Sequence, residues 1–282
     1  MRHVDQYKTR GIVHNIYIIN ICIHGGVPMI INSFDDQSPA IINPKITDDL
    51  PKFDACIVTF SNQIEEYVLR RFNCRQIAYF SFVTGITPIY EIWHRGKRFA
   101  FYKTYVGAPA CVGTIEDTLA KIKTDKYIVF GGAGCLDKEI ARGKVMIPTA
   151  AYRDEGTSYH YAPAADYIDI KNCDIVEQFM EEHSIPHVKG KTWTTDSFYR
   201  ETQYNFQKRK TDGCISVEME CSALQAMCDF RNLELYIFFT SGDLLDAPKW
   251  DPRRFGDICP GSQHDSLHFH IALELADYIT MS

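Results

Sequence analysis

Val217-Glu218-Met219-Glu220-Cys221 sets two carboxylates around a methionine. The short apolar run Cys214-Ile215-Ser216-Val217 precedes it, and the helix-like pattern Ala223-Leu224-Ala226-Met227-Phe230 follows. The two acids therefore fall where a strand hands over to a helix, the usual place for a ligand in an open α/β sheet. A carboxylate accepts hydrogen bonds from two neighbouring hydroxyls, and a vicinal diol such as that of ribose offers the pair. Acids at a helix start are also favoured by the macrodipole, and on these five residues alone both readings stand.

Outward from this stretch, strand and helix patterns alternate. Toward the N-terminus, Phe53–Phe60 reads as a buried strand and Gln63–Phe72 as an amphipathic helix. Gln76–Val83 and Ile89–Trp93 read as strands, and His94-Arg95-Gly96-Lys97 as a hairpin turn into a strand over Arg98–Tyr105. Pro109 opens a helix to about Ile122. Tyr127–Phe130 is a strand running into a glycine turn, Gly131-Gly132-Ala133-Gly134, and Lys144–Pro148 is another strand. Asp174–His183 reads as helix, Val188–Trp193 as strand and Ser197–Lys208 as helix. After the strand ending at Val217 come a helix over Met219–Phe230, the strand Leu233–Thr240 and a last helix over Ser266–Ile279. Such alternation without repeats or a Ser/Gly linker predicts an α/β fold with one domain over 29–282. The hairpin at Gly96 makes its sheet a mixed one.

Of the 282 residues, 45% are hydrophobic and 23% charged, as in ordinary globular chains. The net charge of −6 and the absence of a Lys/Arg block argue against a nucleic-acid partner. No run is long enough for a membrane span. The ten cysteines form no CxxC pair, so no zinc ribbon is expected, and they read as reduced thiols of a cytoplasmic protein. Residues 1–28 contain an interrupted apolar run, Ile12–Ile23, behind Arg2, Lys8 and Arg10. They read as a dispensable extension, with Met29 as a candidate functional start.

Four polar or glycine-rich segments follow strands: Val106-Gly107-Ala108-Pro109, the 131–134 run, Arg153–Tyr161, and Thr240-Ser241-Gly242-Asp243. With these go Arg142-Gly143-Lys144-Val145 leading to Ile147-Pro148-Thr149-Ala150, and Thr195-Asp196-Ser197-Phe198-Tyr199. In this order and spacing, over roughly 41–279, the chain resembles the nucleoside phosphorylase family that includes uridine phosphorylase and the hexameric purine nucleoside phosphorylases, as a divergent branch.

The resemblance implies a three-layer αβα sandwich with a mixed central sheet, assembled as a dimer or a trimer of dimers. It implies phosphorolysis of a ribonucleoside, purine before uridine, with phosphate as co-substrate and no cofactor or metal. Glu220 would hold the ribose hydroxyls, with Met219 and Glu218 beside it. Phe198 and Ser241 would meet the base, and Asp243 would protonate a departing purine at N7. Local readings compete: Phe198 and Met219 can be core, Asp243 a turn residue, and Gly131 and Gly132 can simply permit a tight turn.

The chemistry gives such residues their use. Breaking the glycosidic bond places positive charge on the ribose and negative charge on the base. A general acid relieves the second, and a bound anion stabilises the first.

The family's phosphate cations have no counterpart. Thr59-Phe60-Ser61-Asn62-Gln63 stands in place of the Gly-Asp-Pro loop with its arginine. Val129 and Gly132 stand where an arginine and a threonine are expected, and Thr84-Gly85 where a neighbouring subunit's arginine is expected. Thr202 and Tyr204 stand where uridine phosphorylases keep glutamine and arginine. Lys103, Arg153 and the backbone of Gly131, Gly132 and Ala133 are the remaining phosphate candidates. Two alternatives follow: a nucleosidase, with Glu155 or Asp154 activating water, and a non-catalytic nucleoside-binding protein.

Overall fold

The computed structural model describes residues 29–83, 85–139, 144–247, 249–252 and 263–281. Expectations placed on residues 1–28, on Thr84 and on Arg142-Gly143 fall outside the described residues. Ten strands form one mixed sheet: β1 (Ala55–Thr59), β2 (Arg75–Phe82), β3 (Gly85–His94), β4 (Lys97–Lys103), β5 (Lys126–Cys135), β6 (Val145–Asp154), β7 (Tyr167–Asp169), β8 (His187–Thr195), β9 (Cys214–Glu218) and β10 (Glu234–Leu244). Among the described residues six helices flank it: α1 (Asn62–Arg71), α2 (Ala108–Thr118), α3 (Cys173–Glu182), α4 (Gln203–Thr211), α5 (Cys221–Arg231) and α6 (Gln263–Tyr278).

Strand β1 shows why the chain forms three layers. All five of its residues are buried, and they alternate between two apolar clusters. Ala55 and Ile57 pack with Ile64 and Val68 of α1, Phe179 of α3 and Phe269 of α6. Cys56 and Val58 pack with Cys111 and Ile115 of α2 and Leu224 and Met227 of α5. Side chains on a strand point alternately to opposite faces, so an unbroken apolar strand requires helices on both sides. Each fully buried Leu-, Ile- or Phe-sized side chain contributes about 1.5–3 kcal/mol.

Local signals fix the helix ends. The Ser61 hydroxyl caps α1 by accepting the Ile64 N–H at 3.2 Å, and Arg70 and Arg71 occupy its last turn. Helix α2 begins after Gly107, whose φ of 101° lies in a region where a Cβ would be strained, with Pro109 in its first turn. The β3–β4 hairpin turns on Arg95 and Gly96 with φ of 49° and 80°; positive φ at both central residues is the requirement of a type I′ turn. The eight described cysteines are free thiols.

The sheet order is β10-β6-β8-β9-β5-β1-β4-β3-β2, with β10 also paired to β5. Strands β5, β9, β8, β6 and β10 thus form a closed circuit, and β1 to β4 extend from it as a wing. Strand β5 divides its partners: β1 pairs with it only as far as Phe130, and β9 only from Gly134 onward. Between these limits one edge of Gly131–Ala133 faces no strand, while β10 covers the other edge.

The structure revises two segments expected as loops. Gly131-Gly132-Ala133-Gly134 continues β5 rather than turning, and Thr240–Asp243 lies within β10 beside it. None of Gly131, Gly132 and Gly134 has a positive φ, so these glycines serve close approach instead of a turn. A Cβ on Gly134 would lie 2.8 Å from Leu245 and 2.9 Å from Val217. The helix expected over Ser197–Lys208 divides into a 3₁₀ turn, Phe198–Arg200, and α4. The short β7 carried no alternating apolar signal.

Candidate functional site

A cleft of ≈ 840 Å³ opens where β5 parts from β1 and β9. Strands β5, β9 and β10 end on it, as ligand clefts of open α/β sheets form beyond strand ends. Glu218, Met219 and Glu220 form one wall, Gly131–Gly134 the floor, and Gly242 and Asp243 the far side. Phe198 stands at the mouth, half-exposed, with the Tyr199 ring 4.2 Å away.

The two glutamates do different work. Glu218 Oε2 accepts the backbone N–H groups of Glu220 at 2.7 Å and Cys221 at 2.6 Å. Its Oε1 accepts the Thr194 hydroxyl at 2.5 Å. Glu218 therefore satisfies the open N–H groups at the start of α5, which is the helix-start reading. Burial first, and the Glu220 charge second, push its carboxyl up to about 8, against the donors that favour the ionised form.

Glu220 is buried, and its Oε1 accepts the Gly107 N–H at 2.5 Å. That bond comes from the start of α2, so the Val106–Pro109 segment does reach the site. Burial is the main cause that raises Glu220 to about 7; backbone bonds from Gly107 and Met219 oppose it and Asp196 adds to it. Lining the cleft and paired with no cation among the described residues, Glu220 is placed to receive a diol.

Asp243 Oδ2 accepts the Trp250 indole N–H at 2.6 Å. Its Oδ1 lies 3.1 Å from where a Cβ on Gly134 would be. The absence of that Cβ lets the carboxylate lie against β5. Trp250 reaches it because the chain folds back after β10, with Leu244 and Asp251 exchanging backbone hydrogen bonds of 2.9 and 3.2 Å.

Three expected residues do not line the cleft. Ser241 pairs with Ala133 in the β5–β10 ladder, and its neighbours Gly242 and Asp243 face the cleft instead. Lys103 donates to Asn62 Oδ1 at 2.5 Å and lies 3.8 Å from Glu65, at the start of α1. Arg153 is buried elsewhere: its guanidinium donates to Ser158 Oγ and to the Pro163 and Ala162 carbonyls, and stacks on Tyr159. The water-activating candidates are also committed away from the cleft. Glu155 accepts from Ser222 and Ser158, and Asp154 accepts from Trp193.

Other lining residues gave no sequence signal. Phe60 covers Gly131 so closely that a Cβ there would lie 2.9 Å from its ring. Glu201, Lys249 and Trp250 arrive from segments whose course depends on the tertiary fold. Among the described residues, Lys249 is the one lysine or arginine lining the cleft.

Two clusters with metal-ligand residue types lie outside the cleft: His94, Glu274 and Asp277, and Glu177, Glu181 and His187. In the first, Arg95 pairs with Glu274 and Asp277, and Lys97 with Asp277. In the second, Lys189 pairs with Glu177 at 2.5 Å. Cations of the chain itself thus already pair with Glu274, Asp277 and Glu177. No helix among the described residues is long and apolar enough to cross a membrane.

Residues 56–259 match the model of the phosphorylase superfamily. The chain belongs to this superfamily. A DeoD-type purine nucleoside phosphorylase from Exiguobacterium sp. is 24% identical over 155 residues, covering 54% of this chain and 65% of that protein. A 5′-methylthioadenosine/S-adenosylhomocysteine nucleosidase from Buchnera aphidicola subsp. Acyrthosiphon pisum is 25% identical over 175 residues, covering 53% of this chain and 75% of its own. A uridine phosphorylase from Salmonella typhimurium is 26% identical over 157 residues, covering 49% and 60%. The chain spans just under two thirds of the length of the first of these relatives. The superfamily contains both phosphorylases and nucleosidases, and the mixed ten-strand sheet with six flanking helices agrees with it.

Proposed function

We propose that this protein cleaves the N-glycosidic bond of a purine ribonucleoside. The observation that carries this reading is the pair of carboxylates lining one cleft, Glu220 at the start of α5 and Asp243 held by Trp250 on β10. Glu220 binds the ribose hydroxyls, Met219 packs against the sugar and Phe198 stacks on the base. Asp243 delivers a proton to the departing base, relieving the negative charge that builds on it as the bond breaks. Incubation with inosine, adenosine and uridine, followed by chromatography of free base, tests this. Release from the purines supports it, and release from uridine alone contradicts it.

For the acceptor, the resemblance gives phosphate, and one observation favours water. The cleft beside Gly131 is covered by Phe60 and flanked by Val106, and Lys103 and Arg153 are engaged elsewhere. Lys249 belongs to the segment that holds Asp243, on the base side. A phosphate dianion in a cleft normally gains from charge-assisted bonds to cationic side chains, and the surroundings of Phe60 offer none among the described residues. The name of the Buchnera relative, a nucleosidase, is a precedent for a phosphate-free reaction in this superfamily.

A further inference from the structure

Glu201 lines the same cleft as Asp243 but has no part in the chemistry described above. It follows the Phe198–Arg200 turn, and its backbone N–H bonds the Phe198 carbonyl at 3.3 Å. That bond ties it to the residue assigned to base stacking. No hydrogen bond or ion pair to its carboxylate occurs among the described residues, although the side chain is partly buried. Burial, then the Asp243 charge, push it up to about 7, so the two carboxylates sense each other across the cleft.

An unpartnered carboxylate facing a ligand cleft carries a desolvation cost that a donor on the ligand removes. The chemistry of a purine indicates which donor. With Asp243 at N7, the substituent on the adjoining edge is the one at C6. Asp243 Oδ2 already takes the Trp250 indole, so Asp243 has its other oxygen for N7. An exocyclic group at C6 then needs a separate partner.

We propose that Glu201 reads the base, its carboxylate accepting a hydrogen bond from the 6-amino group, so that the site selects 6-aminopurine ribonucleosides. A 6-oxo group presents a lone pair in the same place and repels the carboxylate in its ionised form, the form that prevails above about pH 7, where the titrations are run. The proposal rests on the nucleoside reading of the cleft but not on catalysis. Its test therefore reads binding, and loss of turnover with binding retained sinks the proposed reaction without touching it.

The experiment is calorimetric titration of the full chain with adenosine, inosine and purine riboside, which lacks any C6 substituent. The same titrations follow for Glu201→Ala and Glu201→Gln, with thermal unfolding as the check on folding. The wild type is expected to bind adenosine about tenfold or more tighter than either competitor. In Glu201→Ala the preference for adenosine over purine riboside collapses toward one, and Glu201→Gln no longer rejects inosine. A preference that survives in both variants overturns the proposal. Equal wild-type affinity for adenosine and purine riboside overturns it as well, a comparison that needs no folded variant. So does a wild type that binds none of the three.

Discussion

Glu218 Oε2 accepts the backbone N–H of Glu220 at 2.7 Å. The first carboxylate of the pair thus builds the ledge from which the second faces the cleft. The two acids that look equivalent in sequence are a helix cap and the proposed ligand contact, and their removal has different expected effects. Glu218→Ala leaves the N–H groups of Glu220 and Cys221 and the Thr194 hydroxyl without their buried acceptor. The expected loss of stability is about 2–4 kcal/mol, read by urea unfolding. A variant within about 0.5 kcal/mol of wild type, the range of an ordinary surface change, contradicts the capping role.

Glu220 gives a pH signature with a definite sign. Burial raises its carboxyl from 4.5 to about 7 in the folded protein. A carboxyl shifted upward stabilises the fold while protonated, so its contribution is complete below the unfolded value and is lost as pH rises through the folded one. Glu220→Gln cannot ionise and does not lose it. The Tm of the ligand-free variant minus that of wild type should therefore grow between pH 5 and pH 8. A constant or shrinking difference argues against the buried, raised carboxyl.

The packing of Phe60 on Gly131 predicts how the reaction responds to phosphate. Purine release should proceed in phosphate-free buffer and change less than about twofold when millimolar phosphate is added. A tenfold difference in rate corresponds to about 1.4 kcal/mol of transition-state stabilisation. An increase of that size or more would mean that phosphate enters the cleft as the acceptor, and the apolar cover would not exclude it.

Gly134 predicts a coupled loss of stability and activity. The Cβ of Gly134→Ala would meet Leu245 at 2.8 Å, Val217 at 2.9 Å and Asp243 Oδ1 at 3.1 Å. Forcing such contacts apart costs about 1–3 kcal/mol and shifts the carboxylate on which protonation of the base depends. The variant should unfold at lower denaturant and lose base release, while ribose binding through Glu220 persists. Unchanged denaturation together with unchanged turnover would contradict the close approach.

Much of this organisation was legible in the chain. The unbroken apolar run at Ala55–Thr59 implies helices on both faces, and it has them. Val217 to Cys221 marks a strand-to-helix handover because apolar periodicity changes there, and β9 gives way to α5 at that point. The 131–134 run was misread because glycine serves both turns and close approach, and periodicity cannot separate the two uses. Lys103 and Arg153 have the charge for an anion, yet where a long cationic side chain ends is decided by the acceptors the fold brings to it, Asn62 for the lysine and Ser158 with two loop carbonyls for the arginine. Glu201 and Trp250 carry no signal in the sequence because the tertiary fold brings them to the cleft. One is placed by a turn beside Phe198, and the other by a strand end folding back seven residues after Asp243.

The decisive measurement is purine release by Asp243→Asn. The amide is close in shape, retains an oxygen to accept the Trp250 indole and removes the acid. Loss of a positioned general acid lowers the rate by roughly 10²–10⁴-fold, so kcat for adenosine or inosine should fall by that amount, with thermal unfolding and nucleoside affinity close to wild type. An Asn variant that releases purine at the wild-type rate would contradict Asp243 as the proton donor, and with it the assignment of this cleft to purine nucleoside cleavage.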